Sequence, residues 1–286
     1  MSKIGLVVEG GGMKCAYSAA VLDAFIEHDI HFDYAIGVSA GSANVASYLS
    51  GQKGRARRFY TDHISDPLFF GMKSFFKTGN LFNLQYIYGD MSNSGGKDPI
   101  DYEHIKNDPT EYYVVASDAK TGTPVYFTKD MMKQDDYRTI MASSAIPAAC
   151  KPVEINGRRY YDGGVTDAIP VQHALDHGCD KLVVIMSKMR DFVKTPEKNK
   201  ALYTLLCMKY PNMIKALNNR HIMYGKCQKH AYELENEGKA IVFAPSKALD
   251  MSTYAMDANA NQKLYELGLA DFEEGKEKLM AFLNEA

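Results

Sequence analysis

The chain has 286 residues, a length that fits either one large domain or two small ones. A hydrophobic share of 46% with 24% charged residues is ordinary for a globular protein and excludes a disordered or collagen-like chain. The 33 Lys and Arg residues against 35 Asp and Glu give a net charge of −2, which offers no basic excess for binding nucleic acid.

Five cysteines, an odd number without any CxxC pair, predict free thiols in a reducing compartment rather than disulfides or a zinc site. The N-terminal apolar run breaks at Glu9 and has no small-residue cleavage site, so no signal peptide is predicted. No run of 18 apolar residues occurs, which argues against a spanning helix. We therefore expect a soluble, cytoplasmic protein without a metal or other cofactor.

Strands and helices are predicted to alternate over the first two thirds of the chain. The predicted strands are 3–8, 34–37, 112–116, 125–127 and 181–186, and the predicted helices are 14–28, 40–49 and 171–177. This alternation indicates an α/β fold with a mostly parallel sheet that is covered on both faces.

The rest of the chain has a less regular pattern. Residues 52–100 mix basic, aromatic and glycine residues without a clean period. Residues 191–286 are predicted to be largely helical, with one strand at 240–243. We therefore predict a main α/β domain at 1–190 and a mostly helical C-terminal extension at 191–286 packed on it.

A GxSxG sequence, Gly37-Val38-Ser39-Ala40-Gly41, lies between a predicted strand and a predicted helix. That context is typical of a nucleophile elbow, in which a serine on a sharp turn has small residues two positions away on either side. The following helix directs its positive end toward the hydroxyl. Ser39 is therefore a candidate nucleophile, although a plain glycine-rich turn has the same composition.

The segment Gly10-Gly11-Gly12-Met13-Lys14 lies between the first strand and its helix. Consecutive glycines let backbone N–H groups converge, so the loop could bind a phosphate or form an oxyanion hole for acyl transfer. It also comes close to a dinucleotide fingerprint, with Asp33 near the expected place of the ribose-binding acid. Taken alone, the loop favours a dinucleotide-binding oxidoreductase about as much as an esterase.

A third motif, Asp162-Gly163-Gly164, follows a predicted strand pair around residues 153–158. An aspartate before two glycines is usually a turn residue. It gains a chemical role only where the fold brings it to Ser39, far earlier in the sequence.

In combination, these three motifs resemble the patatin-like phospholipase family in their order and setting. Residues 142–147, with Pro152 shortly before the aspartate, are similar to the family's approach to that motif. The resemblance covers roughly residues 4–187, and the C-terminal third resembles a helical extension of some bacterial members. One residue departs from the pattern, because Cys15 stands where the family usually has glycine after the basic Lys14.

The resemblance implies a three-layer α/β/α fold and a Ser–Asp dyad without histidine, with Ser39 as nucleophile and Asp162 as its base. The implied oxyanion hole consists of backbone N–H groups of Gly10, Gly11, Gly12 and Met13, and the motif-supporting residues are Lys14, Gly37, Gly41, Gly163 and Gly164. The implied reaction is the hydrolysis of acyl esters, those of lipids in particular. Two alternatives stay open: a dinucleotide-binding oxidoreductase and a non-catalytic regulatory protein of the same fold.

A histidine-containing triad is a further mechanistic alternative. His173 and His177 follow Asp162 in the chain order of α/β-hydrolase triads. They lie four residues apart on the predicted helix at 171–177, and we favour surface or boundary roles for both.

Residues 53–77 contain six Lys or Arg residues and two Asp residues, a local charge of +4, with phenylalanines among them. Such a segment can attract anionic lipid and insert apolar side chains into a membrane surface. We favour a structural cap whose phenylalanines lie in the core, and a peripheral membrane contact through 53–77 is the alternative.

Overall fold

An eight-stranded sheet forms the centre of the fold in the computed structural model, which describes residues 2–249 and 256–285. The strands are β1 (Ile4–Val8), β2 (Tyr34–Val38), β3 (Glu111–Asp118), β4 (Pro124–Thr128), β5 (Val153–Ile155), β6 (Arg158–Asp162), β7 (Lys181–Ile185) and β8 (Ala240–Phe243). They are ordered β5-β6-β3-β2-β1-β7-β8, and β4 also pairs with β3. The strands β3, β2, β1, β7 and β8 are parallel, whereas β4, β5 and β6 form antiparallel pairs.

The α-helices of the described residues surround this sheet. They are α1 (Ala16–Glu27), α2 (Ala40–Leu49), α3 (Arg55–Thr61), α4 (Met72–Thr78), α5 (Tyr102–Asn107), α6 (Arg138–Ser143), α7 (Val171–Asp176), α8 (Lys200–Leu206), α9 (Pro211–Asn236) and α10 (Ala258–Asn284). Within the part of the chain that the structure describes, no helix combines the length and the apolar character that crossing a membrane requires.

Side chains along β1 alternate between two apolar layers, because successive residues of a strand point to opposite faces. Leu6 and Val8 belong to the layer that also contains α1, α2 and α10. Val7 belongs to the other layer, which contains α7 and the second half of α9. Helices therefore cover both faces of a mostly parallel sheet, and the predicted three-layer α/β/α fold is confirmed.

The segment predicted as a C-terminal extension contributes directly to the central sheet. Its strand β8 pairs in parallel with β7, with Ala240 opposite Leu182. Its last helix, α10, packs along α1 so closely that a Cβ atom at Gly268 would lie 2.7 Å from the carbonyl oxygen of Tyr17. The described residues of 191–286 thus supply one sheet strand and a helix on each face, α10 on one and the second half of α9 on the other, and the boundary at 190 stays a prediction.

The predicted alternation of strands and helices is confirmed, with shifts of a few residues at element ends. The first helix is shorter than expected, because a 3-10 turn at Gly12–Cys15 precedes α1 and Gly12 has a positive φ of 56°. Residues 52–100, which lack a clean period, fold into the short helices α3 and α4 and a π-helical turn at Gln85–Asp90.

Candidate active site

Ser39 lies at the sharp turn between β2 and α2, at the carboxyl edge of the parallel strands. Its backbone has φ 54° and ψ −130°, a conformation that side-chain-bearing residues rarely adopt. Two side chains brace the turn: Ser143 Oγ accepts from Ser39 N at 2.7 Å, and Ser42 Oγ donates to the Ser39 carbonyl at 2.6 Å. This local strain is the geometry of a nucleophile elbow.

The two glycines of the GxSxG sequence lie at points of close backbone approach. A Cβ atom at Gly37 would lie 2.5 Å from the Cα of Ser42, and one at Gly41 would lie 2.5 Å from the carbonyl oxygen of Glu9. Both clashes involve backbone atoms, which cannot move without displacing β1 or α2. Any larger residue at either position would therefore distort the turn that carries Ser39.

Asp162 reaches Ser39 because β6 pairs with β3, the neighbour of β2 in the sheet. Ser39 Oγ donates to Asp162 Oδ2 at 2.6 Å, and the Gly164 N–H donates to Oδ1 at 2.8 Å. A Cβ atom at Gly163 would collide with the carbonyl of Val115, so this turn also needs its glycine. The sequence motifs at Ser39 and Asp162 are thus in direct contact.

The Ser39 and Asp162 side chains lie in a nearly closed environment, since their residues are 7% and 4% exposed. Burial raises the pKa of Asp162 above its ordinary value, and the Arg220 charge, the Ser39 hydroxyl and the Gly164 N–H partly offset that rise. A carboxylate with a raised pKa accepts a proton more readily than one in water.

The glycine loop runs beside Ser39, and Gly10, Gly11 and Gly12 border the same cavity as its hydroxyl. A Cβ atom at Gly10 would lie 3.0 Å from the Cβ of Ser39, so the approach itself requires glycine. Within residues 2–249 and 256–285, the N–H groups of Gly10 and Gly11 donate to no protein acceptor. Both groups are therefore available to an oxygen atom of a ligand.

The glycine loop is followed by Lys14 and Cys15. Neither residue borders the cavities that the described residues form at Ser39. Lys14 borders a separate depression with Lys188 and Leu264. Cys15 is fully buried in the core below the loop, and its Sγ–H donates to the Glu9 carbonyl at 3.6 Å. Burial raises the pKa of this thiol to about 12. The side chain that departs from the family pattern is thus accommodated by the core.

Ser39 stands at the junction of two cavities of different character, which also share Gly12 and Ile146. The first encloses about 820 Å³ with its open mouth, and its wall is mainly apolar: Met13, Ala43, Phe59, Phe69, Phe82, Leu84, Ile87 and Ile140. We call it the apolar cavity. One charged side chain, Arg55, also borders it, and its guanidinium donates to Ser47, Ser92 and the Asp98 carbonyl.

The second cavity, which we call the polar cavity, encloses about 830 Å³ with its mouth. Besides the glycine loop, Ser39 and Asp162, its wall contains Glu9, Lys188, Lys194, Glu197, Arg220 and Tyr224. A pocket with reactive groups at the boundary of an apolar and a charged region suits an amphiphilic ligand.

Comparison with known proteins gives these motifs a family. A family model for the patatin-like phospholipases matches residues 6–175. The chain belongs to the patatin-like phospholipase family. A second model, for a domain of unknown function designated DUF6363, matches residues 210–284, which include α9, β8 and α10.

Two relatives cover about two thirds of the chain. The uncharacterized protein YjjU of Escherichia coli (strain K12) is 32% identical over 200 residues, 68% of this chain and 55% of that protein. Lysophospholipase nte1 of Aspergillus terreus is 24% identical over 187 residues, 64% of this chain and 12% of that protein. The chain thus spans about half the length of one relative and about an eighth of the other.

A solved structure, VipD from Legionella pneumophila, aligns with 96% of this chain and 66% of that chain, with a TM-score of 0.48 and 14% sequence identity.

For this patatin-like chain, the family match favours the hydrolase interpretation over the dinucleotide-binding alternative.

The two histidines considered for a triad, His173 and His177, lie away from Ser39. His173 Nδ1 is hydrogen-bonded to the Tyr34 hydroxyl at 2.5 Å, and Tyr34 begins β2, whose far end leads to Ser39. Five residues of extended strand span about 16 Å, so His173 is remote from the serine. His177 stacks on His173 with ring centroids 4.0 Å apart.

The basic segment 53–77 is largely engaged with the rest of this patatin-like fold. Arg55 is buried, and Arg58 forms a two-pronged ion pair with Asp98. Arg57 Nε donates to Gln262 of α10 at 2.8 Å. In contrast, α4 exposes Met72, Lys73, Phe75, Phe76 and Lys77. The three arginines therefore do not form a free basic patch.

The charged wall of this family member's polar cavity is not marked by any of the three sequence motifs. Lys188 had one available signal, because it follows a predicted strand and parallel strands end at a common edge. No sequence signal marks Lys194, Glu197 or Arg220, since they lie in a loop and a helix without a motif.

No cluster of three or more His, Cys, Asp or Glu side chains that could hold a metal occurs among residues 2–249 and 256–285.

Proposed function

We propose that the chain is a serine hydrolase of acyl esters of lipids, with Ser39 as the nucleophile, Asp162 as the general base and the glycine-loop N–H groups as the oxyanion hole. The 2.6 Å hydrogen bond from Ser39 Oγ to Asp162 Oδ2, on a strained elbow at the junction of two cavities, carries this proposal. The family match and the relative named as a lysophospholipase support it.

In the proposed reaction, Asp162 accepts the Ser39 proton while Oγ attacks the ester carbonyl carbon. The carbonyl oxygen becomes an oxyanion, which the N–H groups of the glycine loop stabilise by about 3–4 kcal/mol for each donor in comparable sites. Protonated Asp162 then returns the proton to the leaving alcohol as the acyl-enzyme forms. Water attacks this ester in the second half, with Asp162 again accepting the proton, and Asp162 then returns that proton to Ser39 Oγ as the fatty acid leaves.

The apolar cavity is suited to the acyl chain, because its wall would remove methylene groups from water at about 0.8 kcal/mol each. The polar cavity would receive the alcohol side of the ester. In this proposal the scissile carbonyl lies at Ser39, and the meeting of the two cavities there supports that position.

The test treats the wild type, Ser39→Ala and a control, Ser50→Ala, with a fluorophosphonate probe and with a panel of acyl esters. Ser50 is a buried serine that follows α2, and its hydroxyl donates to the Ser47 carbonyl at 2.8 Å within the same helix turn. We expect the probe on Ser39, and a loss of ester turnover by more than about a thousandfold in Ser39→Ala only.

Labelling of Ser143 or Ser144 with Ser39 unmodified would overturn the assignment. A folded wild type that binds no probe and hydrolyses no ester would favour the non-catalytic regulatory alternative. Nucleotide absorbance that copurifies with such a protein would instead favour the oxidoreductase.

We further propose that α4 is the surface that meets lipid. Phe76 is 81% exposed and Phe75 is 42% exposed beside Lys73 and Lys77. The residues on either side of this helix, Phe69 and Phe82, border the apolar cavity. An acyl chain could therefore pass from a membrane surface to Ser39 along this segment.

The membrane proposal is tested by sedimentation with vesicles that contain anionic lipid. We expect the double variant Phe75→Ser and Phe76→Ser to bind several-fold less, because apolar insertion supplies much of interfacial affinity. Met280→Ser, at an exposed apolar residue of α10, is the matched control. Equal binding by the wild type and the double variant would contradict the proposal.

A further inference from the structure

The residues that follow β7 hold the glycine loop. The strands β1 and β7 are parallel neighbours that end together, with Val8 opposite Ile185. The Glu9 N–H donates to the Ile185 carbonyl at 2.9 Å, which continues this pairing beyond the end of β1. The chain after β7 therefore runs beside the chain after β1, and Ser187 comes next to Gly10.

Two side chains of this segment donate to one carbonyl of the loop. Ser187 Oγ donates to the Gly10 carbonyl at 2.9 Å, and Lys188 Nζ donates to the same oxygen at 3.3 Å. Lys188 Nζ also donates to Ser187 Oγ at 3.1 Å, so the three groups are mutually hydrogen-bonded. Both lone pairs of the Gly10 carbonyl are thus engaged, which fixes the direction of this carbonyl.

Buried contacts keep the two donors in place. Glu9 is 1% exposed, and its carboxylate accepts from the Ser187 N–H at 2.8 Å and forms an ion pair with Lys188. The Lys188 ammonium also lies over the rings of Phe192 and Tyr224, at 5.6 Å and 5.2 Å from their centroids. Since Tyr224 belongs to α9, the C-terminal segment helps to hold this lysine.

The held carbonyl sets the direction of an N–H group of the loop. The C=O and N–H of a trans peptide point in opposite directions. Because the Gly10 carbonyl points to Ser187 and Lys188, the Gly11 N–H points away from them. Among the described residues this N–H has no protein acceptor, and Gly11 borders the polar cavity. Hydrogen bonds to a carbonyl also polarise the amide, which strengthens the N–H of the same peptide as a donor.

Ser187 packs closely against the loop without reaching the proposed reaction site. A Cβ atom at Gly11 would lie 2.2 Å from Ser187 Oγ and 2.6 Å from Ser187 Cβ, so this contact requires glycine. Within the part of the chain that the structure describes, Ser187 borders neither of the two cavities that meet at Ser39. An effect of this side chain on the reaction must therefore pass through the glycine loop.

We propose that Ser187 and Lys188 are positioning residues of the oxyanion hole. By holding the Gly10 carbonyl, they direct and strengthen the Gly11 N–H that receives the oxyanion. The carbonyl oxygen is more negative in the transition state than in the bound ester, so a misaligned donor should lower kcat and leave KM nearly unchanged. This inference rests on the proposed esterase function.

The kinetic test uses Ser187→Ala, which removes the hydroxyl donor without adding bulk. We expect kcat on a soluble ester to fall by about tenfold with KM within about twofold of the wild type, because complete loss of one oxyanion donor costs about 10²–10³ and here the donor is only misaligned. Ser187→Cys keeps a weaker donor, so its kcat should lie between those of the wild type and Ser187→Ala.

Ser50→Ala is the matched control, because it also removes a buried serine hydroxyl that donates to a backbone carbonyl. It should change neither constant. An unchanged kcat in Ser187→Ala overturns the proposal. A rise in KM without a fall in kcat does so as well, because it would assign Ser187 to substrate binding.

Nuclear magnetic resonance tests the contact itself without turnover. With ¹³C′ and ¹⁵N in glycine only, a spectrum that correlates each ¹³C′ with the next ¹⁵N reports the four Gly–Gly peptides, 10–11, 11–12, 95–96 and 163–164. We expect Ser187→Ala to move the 10–11 signal and to leave the 95–96 signal in place.

The two measurements together separate this inference from the proposed function. An unmoved 10–11 signal overturns the contact. A moved signal in an active enzyme whose kcat is unchanged overturns the positioning role. A moved signal together with a wild type that hydrolyses no ester supports the contact and counts against the esterase function alone.

Discussion

The two cavities that meet at Ser39 differ in the origin of their walls. The apolar cavity is formed by residues 12–146, all within the part of the chain that matches the patatin-like family model. The polar cavity takes five of its fourteen lining residues from 188–224, beyond that match. Under the proposed function, the family domain would supply the place for the acyl chain, and residues beyond the family match would meet the polar side of the substrate.

Asp162 lies at the boundary of the two cavities, and its replacement has the largest expected effect. Asp162→Asn keeps the shape of the side chain but removes the base, so ester turnover should fall by about 10²–10⁴. The measurement is kcat on a soluble ester, with thermal unfolding as a check of folding. Asp176→Asn, at an exposed aspartate of α7, is the control. Retained turnover in Asp162→Asn would remove the carboxylate from the mechanism.

Filling the apolar cavity should affect long acyl chains more than short ones. Ala43→Phe places a ring on α2 inside this cavity. We expect the ratio of kcat/KM for a dodecanoyl ester to that for a butyryl ester to fall by about tenfold, since each lost methylene contact costs about 0.8 kcal/mol. The same replacement at exposed Ala201 should not change the ratio. An unchanged ratio in Ala43→Phe would place the acyl chain elsewhere.

On the polar side, Arg220 should set the acid limb of the pH–rate profile. Arg220 is the principal charge that opposes the raised pKa of Asp162. Removing it in Arg220→Gln should raise that pKa further, so that kcat/KM declines at a higher pH than in the wild type as the solution is acidified. Arg220→Lys keeps the positive charge, so the pH at which kcat/KM declines should lie between the values for Arg220→Gln and the wild type. Lys215→Gln, at an exposed position of α9, serves as control.

The smallest effect is expected outside both cavities, at His173. Turnover in His173→Gln should stay within about twofold of the wild type, because the ring bonds to Tyr34 and not to Ser39. A loss of about 10²–10⁴ in folded protein would indicate a general base and a triad.

The same variant should change acid stability. Burial and His177 lower the pKa of His173 from 6.5 to about 4, so the unfolded chain binds a proton more readily between these values. Stability is therefore lost as the pH falls through that window. His173→Gln should reduce this loss, measured as the shift in Tm between neutral and acidic pH. His31→Gln, at an exposed histidine, should not.

The motifs around Ser39 and Asp162 could be read from the sequence because each depends on local backbone geometry. Gly37 and Gly41 are required by contacts within a few residues of the turn or with β1, and such requirements appear as glycine spacing. The hydrogen bond between Ser39 and Asp162 could be predicted only from the family resemblance, since the pairing of β6 with β3 has no local sequence signature.

The charged wall of the polar cavity could not be predicted, for the same physical reason. Arg220 reaches the site because α9 packs against the turn at Gly163–Val165, and one arginine on a polar helix has the same sequence signature as a solvated residue. In segment 53–77, the contacts of Arg55 and Arg58 with Asp98 agree with the favoured structural cap, whereas Phe75 and Phe76 are exposed and do not lie in the core. A local run of basic residues predicts exposure poorly where a carboxylate far away in the sequence, such as Asp98, is buried beside it in the fold.

The pairing of β8 with β7 has a consequence for synthesis of the chain. Residues Leu182–Ile185 are fully buried in the finished sheet, yet their outer partner is made almost sixty residues later, as Ala240–Phe243. Until then the nascent chain carries an apolar parallel strand with an open edge, the kind of surface that recruits other strands. The sheet therefore receives its outer strand β8 late in synthesis. A chain arrested before β8 would expose β7 as an unpaired edge strand, which can pair with strands of other chains.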